Sequence, residues 1–168
     1  HALIETKILT DNEQATLIDM VHDHLTDKYN KDWKLLFRGT RDGFQRDDFY
    51  SKCNLMENTI CIIHTPQNNV FGGFTIVKWN KCKKQNNDLW TDHDDDPNAF
   101  IYLIRSNKGT SPSIFPVLND GANAIQQYEY GYLSFGQYGT AFYMDTGNGD
   151  PQFWVVNESE EFQLDHVE

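Results

Sequence analysis

TICIIHTPQNNVFGGFTIVKW, residues 59–79, places two apolar runs on either side of a turn. Thr59–His64 is β-branched and almost free of polar residues, which predicts a strand covered on both faces. Pro66-Gln67-Asn68-Asn69 has turn composition. Val70–Trp79 then returns as a second apolar run, so the economical reading is an antiparallel hairpin. Working outward, AFIYLIR at 99–105 is another strong strand, and residues 106–113 are loop. Shorter strand candidates follow at 114–118, 122–128, 140–145, 152–156 and 162–167, divided by turns with Gly at 131, 136, 139, 147 and 149. Upstream of the hairpin, Trp33–Arg38 is a short strand candidate, and Asp47 is placed to cap a short helix carrying Phe49, Tyr50 and Cys53. No strand–helix–strand alternation points to a parallel sheet. The expected fold is α+β and mostly β: a two-sheet antiparallel β-sandwich flanked by a few helices.

The N-terminal region has a different period. Thr10-Asp11-Asn12-Glu13 reads as a capping box, and Leu17, Ile18, Val21 and Leu25 form one helical stripe. A helix is expected from about residue 11 to residue 28. This divides the chain into a helical extension, residues 1–30, and a main domain, residues 31–168. A chain of 168 residues fits one main domain without disulfide staples. It begins at His1 and not at a methionine, so an upstream region is expected, and no signal peptide is visible.

Composition excludes several functions. Fourteen basic residues against twenty-five acidic ones leave a formal charge of −11, which repels a phosphate backbone, so no nucleic acid is expected as partner. No run of about 18 apolar residues exists, so no membrane insertion is expected. The cysteines, Cys53, Cys61 and Cys82, are odd in number and lack a CxxC pair, arguing for reduced thiols in a cytoplasmic protein. The sequon at Asn157 is read as chance.

The loudest charge signal is Asp92-His93-Asp94-Asp95-Asp96. Asp92, Asp94 and Asp96 mimic the start of a calcium loop, but Pro97 replaces the required Gly and Leu103 the bidentate Glu. The expectation is a solvated acidic loop within a polar stretch, residues 80–97, and no metal or other cofactor. His22 and His24, two apart on a helix, are no zinc pair. Cys61 and His64 lie three apart in one strand and face opposite sides. Cys53 and Cys82 remain as candidate redox thiols, Cys82 because it lies between Lys81 and Lys83. No catalytic signature is present, and the chain is expected not to be an enzyme.

One arrangement is more specific. Leu35-Leu36-Phe37-Arg38-Gly39-Thr40-Arg41-Asp42-Gly43-Phe44, followed by Phe49-Tyr50-Ser51-Lys52-Cys53, resembles the opening of the TLDc domain. Val70-Phe71-Gly72-Gly73-Phe74-Thr75 is similar to its V-F-G-G-Y-T block. Asp95-Asp96-Pro97-Asn98-Ala99-Phe100 resembles its D-x-x-A-F strand entry, and Tyr130-Gly131 with Phe135-Gly136 its Y-G-P-x-F-G. The segment Gly147–Val155 departs from the family's G-G-D-L-x-I by carrying Pro151. The resemblance implies a two-sheet sandwich, links to oxidative-stress resistance, and V-ATPase peripheral subunits as partner. It also implies a cytoplasmic place at the edge of endolysosomal membranes. The motif residues Arg41, Asp42, Gly43, Phe44, Gly72, Gly73, Asp96, Ala99, Phe100, Gly131, Phe135 and Gly136 read as scaffold. Phe44, Phe49, Phe71 and Phe100 are expected in the core. Two further functions stay open at this point: a thiol-dependent antioxidant enzyme, and a structural or sensing module of a larger protein.

Overall fold

A computed structural model of the chain describes residues 4–25, 32–80, 91–122, 124–128, 131–135, 142–145 and 152–155. Helix α1 spans Asp11–His24, opened by Thr10 and Glu13 as a reciprocal capping box: Thr10 N–H donates to Glu13 Oε2 at 2.9 Å, and Glu13 N–H to Thr10 Oγ1 at 3.3 Å. It is shorter than its stripe suggests. Leu25 turns extended, and although buried it packs from outside the helix. A single helical turn, α2, covers Gly39–Asp42, and α3 covers Arg46–Cys53. Gln45 caps α3 and Asp48 completes its box, in place of Asp47.

The described strands form two antiparallel sheets. The first contains β1 (Thr59–His64), β2 (Val70–Thr75), β4 (Phe100–Arg105) and β5 (Ser113–Pro116), in the order β1-β2-β4-β5. The second contains β3 (Thr91–Asp94), β6 (Ile125–Tyr128), β7 (Gly131–Phe135), β8 (Phe142–Asp145) and β9 (Gln152–Val155), in the order β3-β6-β7-β8-β9. The hairpin pairs as its sequence implies, from Thr59 opposite Thr75 to His64 opposite Val70. The chain is thus α+β, with few helices.

The two central strands explain why the apolar runs are continuous. On one face of the first sheet Val70, Phe74, Phe100, Tyr102 and Ile104 pack with Leu17, Ile18 and Val21 of α1. On the other, Phe71 and Leu103 pack with Phe49 and Cys53 of α3, with Trp79, and with Ile125 and Phe135 of the second sheet. Alternate residues of β2 and β4 therefore both find apolar partners, and polar residues enter only at the strand ends, Thr75 and Arg105. Each large side chain buried this way contributes about 1.5–3 kcal/mol. Gln14 is the exception on the α1 face: it is buried, yet its Oε1 has no hydrogen-bond partner among the described residues. Gln14→Leu should therefore raise unfolding stability by about 1 kcal/mol, read as a higher thermal midpoint.

Four local expectations fail because backbone groups find partners that the apolar pattern does not show. Trp33–Arg38 makes no ladder, although Arg38 itself is extended. The Leu36 carbonyl accepts from Arg41 and the Arg38 N–H donates to Asp42, so α2 takes the groups a neighbouring strand would use. Strand β2 ends at Thr75, short of Trp79, because the hydroxyl there turns to Asp96 and the Val77 N–H. The polar stretch at 80–97 contains a strand, β3, paired with β6 from Asp94 opposite Ile125 to Thr91 opposite Tyr128. GYLSF, treated as turn, is β7. The strand candidate at 162–167 and the sequon at Asn157 lie outside the described residues.

Helix α1 is pinned to the first sheet by one charged pair. Arg105 on β4 donates Nε to Glu13 Oε1 and Nη2 to Glu13 Oε2, both at 2.7 Å, while Nη1 reaches Asn68 Oδ1 at 2.7 Å. The bond from Arg105, aided by the Thr10 N–H and hydroxyl, holds the Glu13 carboxyl at about 2 against its ordinary 4.5, despite opposing desolvation. A depressed acid contributes stability above its unfolded value and loses it as pH falls toward the folded one. Glu13→Gln should cost about 1–2 kcal/mol at neutral pH, and the difference from the native chain should vanish as pH falls from 4.5 toward 2. Urea titrations across that range check it.

Candidate functional site

Three motif groups hold the candidate residues, and each is built by a different element. At the corner between Trp33–Arg38 and α3, Arg41 forks onto Asp42: Nε to Oδ1 at 2.8 Å and Nη2 to Oδ2 at 2.7 Å. The same Asp42 Oδ2 accepts the Arg38 N–H at 2.9 Å. These bonds, with Arg41 the larger cause, hold the Asp42 carboxyl down at about 2. Gly43 follows at φ +103°, where an added Cβ would overlap the Asp48 carboxyl that closes the α3 box. Phe44 is no core residue. It is 38% exposed and leans its ring on Gly39, which leaves no room there for a Cβ. Phe49, Phe71 and Phe100 are buried as expected.

The second group is the glycine pair in β2. Facing α1, Gly72 lets the Tyr102 hydroxyl cross the strand and donate to the Cys61 carbonyl at 2.6 Å. Gly73 faces the other way, where Phe135 of β7 fills the space a side chain would need. The pair permits close approach on both faces; the ladder irregularity lies elsewhere in the strand, between Val70 and Phe71.

The third group centres on Asp96, which corrects the solvated-loop expectation. Its side chain is 0% exposed. Oδ2 accepts the Thr75 hydroxyl at 2.6 Å and the Ile76 N–H at 2.9 Å, and Oδ1 accepts the Asn98 N–H at 2.9 Å. Its own N–H donates to the Gly121 carbonyl. Asp96 thus clamps the end of β2 to the entry of β4, with Ala99 and Phe100 buried just beyond. Asp94 accepts from Gln127 of β6 at 2.9 Å. Asp92 sits in β3. Among the described residues no group of His, Cys, Asp and Glu could hold a metal ion.

The thiols are also placed differently from expectation. Cys53, a candidate redox thiol on the sequence, is buried at the end of α3, and desolvation, with the nearby Asp42 charge, pushes its thiol up to about 12. Burial pushes Cys61 to about 12 as well, even though its sulfur accepts the Gly73 N–H at 3.1 Å. Neither carries the thiolate that redox chemistry needs. Cys82 and Gly136 lie outside the described residues. Gly131 opens β7 and Phe135 closes it.

So the structure brings Asp96 together with β2, and Gly73 with Phe135, but leaves the Arg41–Asp42 corner a separate unit. Thr75 and Gly121, the partners of Asp96, were not singled out in the sequence; the only local hint was Gly121 behind Asn119-Asp120, a turn signal. These three groups, in this order along the chain, coincide with one family pattern. The TLDc domain pattern matches residues 3–168. The chain belongs to the TLDc domain family. No curated protein matches it. The TLDc match takes in α1 as well as both sheets. Among the described residues of this TLDc chain, no helix is long and apolar enough to cross a membrane.

Proposed function

We propose that this TLDc chain is a non-catalytic protein-interaction domain, a two-sheet sandwich that acts in the cytoplasm at the edge of endolysosomal membranes. Its partner on this reading is the peripheral sector of the V-ATPase, and its contribution to oxidation resistance is indirect. The observation that carries the reading is the use of the motif side chains: Asp42 and Asp96 have both carboxylate oxygens, and Arg41 its Nε and Nη2, committed to nearby backbone and side chains, so the motif chemistry holds the fold. A net charge of −11 favours a basic partner face and a fast, salt-sensitive encounter.

The test is binding of purified V-ATPase peripheral subunits to the native chain at low and physiological salt. Binding that weakens with salt is expected; no binding at low salt removes the reading. The antioxidant alternative has its own check. In a Cys82→Ser chain, Cys53 and Cys61 should react with Ellman's reagent on the order of 100-fold more slowly than in denaturant, or slower still. Rapid labelling of the folded chain would bring thiol chemistry back.

A further inference from the structure

Leu55, in the link between α3 and β1, has φ +64° and a side chain 60% exposed. That backbone region disfavours any residue with a Cβ, and glycine or asparagine suits it best. Burial does not offset the strain, because the side chain lies in water. Met56 beside it is 43% exposed, and Asn58 is a second left-handed residue at φ +54°. The link is firmly anchored all the same. Met56 N–H donates to the Cys53 carbonyl at 2.9 Å, Leu55 N–H to the Trp79 carbonyl at 2.6 Å, and Trp79 N–H to the Met56 carbonyl at 3.0 Å. Trp79 is itself buried, and its indole N–H donates to Thr59 Oγ1 at 2.8 Å. Two apolar side chains are therefore held outward on a strained loop tied to the core. Any residue but proline could supply the same backbone bond to Trp79, so the fold gives no reason for leucine at this position. Exposed Leu118, which lacks that backbone strain, is the ordinary scattered kind.

We propose that Leu55 and Met56 form the apolar anchor with which this domain enters a pocket on its protein partner, an apolar pocket rimmed by basic groups. The inference rests on the interaction-domain reading above and names its contact surface. Strain kept at an exposed site points to a use outside the fold. A preset loop loses little freedom on docking, and a few side chains seated in pockets dominate most interfaces. Charge selects a protein over a bilayer: the chain carries −11, which opposes anionic headgroups, whereas the neighbouring Glu57 lies 3.6 Å from Lys78 Nζ and adds little local charge, and two side chains bury little in lipid.

The experiment compares the native chain with Leu55→Asn, Leu55→Asn/Met56→Ser and Leu118→Ser, measuring thermal midpoint and affinity for purified V-ATPase peripheral subunits. Asparagine tolerates the left-handed backbone, so Leu55→Asn should keep or raise the thermal midpoint while affinity falls at least about tenfold. The double variant should fall further, and Leu118→Ser should bind like the native chain. A lowered midpoint in Leu55→Asn would make Leu55 structural and overturn the inference. Unchanged affinity in both Leu55 variants would overturn it while leaving the interaction reading standing. No binding by the native chain would remove both. Leu55-dependent binding to phosphatidylserine vesicles would replace the protein pocket with a membrane and also overturn it.

Discussion

Asp96→Ala should lower the unfolding free energy by about 3–5 kcal/mol, the largest effect expected of any single polar side chain in this structure. The substitution leaves the Thr75 hydroxyl and the Ile76 and Asn98 N–H groups without their acceptor, at the junction where β2 hands over to β4. Buried donors that lose an acceptor bear the full desolvation cost. With a denaturant slope of about 2 kcal/mol per molar, the urea midpoint should drop by about 2 M. Asp96→Asn should fall between, because one carboxamide oxygen still accepts while the NH2 group faces N–H and O–H donors. Calcium should leave the midpoint of the native chain unmoved; a rise on adding calcium would return the acidic run to a cation role. A full-size loss with the alanine variant would show that an aspartate legible as a surface or metal residue is a fold clamp.

Gly72→Ala is the second large effect. Its new methyl group would overlap the Cys61 carbonyl oxygen and come within 2.5 Å of the Tyr102 hydroxyl. Because one of those atoms is backbone in the paired strand, relief requires moving β1, and a cost of about 3 kcal/mol or more follows. The nearest atoms that Gly73→Ala would meet belong to the Phe135 ring, at 2.8 Å, and a side-chain ring can shift. The two should separate in double variants. Phe135→Leu should recover part of the loss in Gly73→Ala, whereas Tyr102→Phe should recover little in Gly72→Ala, since the backbone overlap persists. Denaturant midpoints of the four single and two double variants measure both couplings. Equal rescue in both pairs would mean that the β1–β2 contact gives way more easily than its geometry implies.

Much of the framework was legible along the chain because it depends on neighbours in sequence. The capping box at Thr10 and Glu13 involves residues three apart, and the β1–β2 hairpin closes through a five-residue turn between its strands, so propensity and pattern suffice. The continuous apolar runs of β1, β2 and β4 announce strands covered on both faces, whatever covers them. The Arg41–Asp42 pairing with Gly43 behind it is equally local, between adjacent residues.

What local pattern could not settle were the positions whose partners arrive from a distance. Residues 91–94 and GYLSF become strands because β6 and its neighbours offer ladders to polar or glycine-rich segments of weak intrinsic preference. Cys53 looks exposed beside a polar turn, yet α3 turns it into the cluster shared by both sheets. Asp96 reads as one carboxylate among four until Thr75, twenty-one residues earlier, supplies its hydroxyl. Short-range pairings carry a small closure entropy and show in the order of residues; long-range ones must be assembled before they repay it, and only the folded chain displays them.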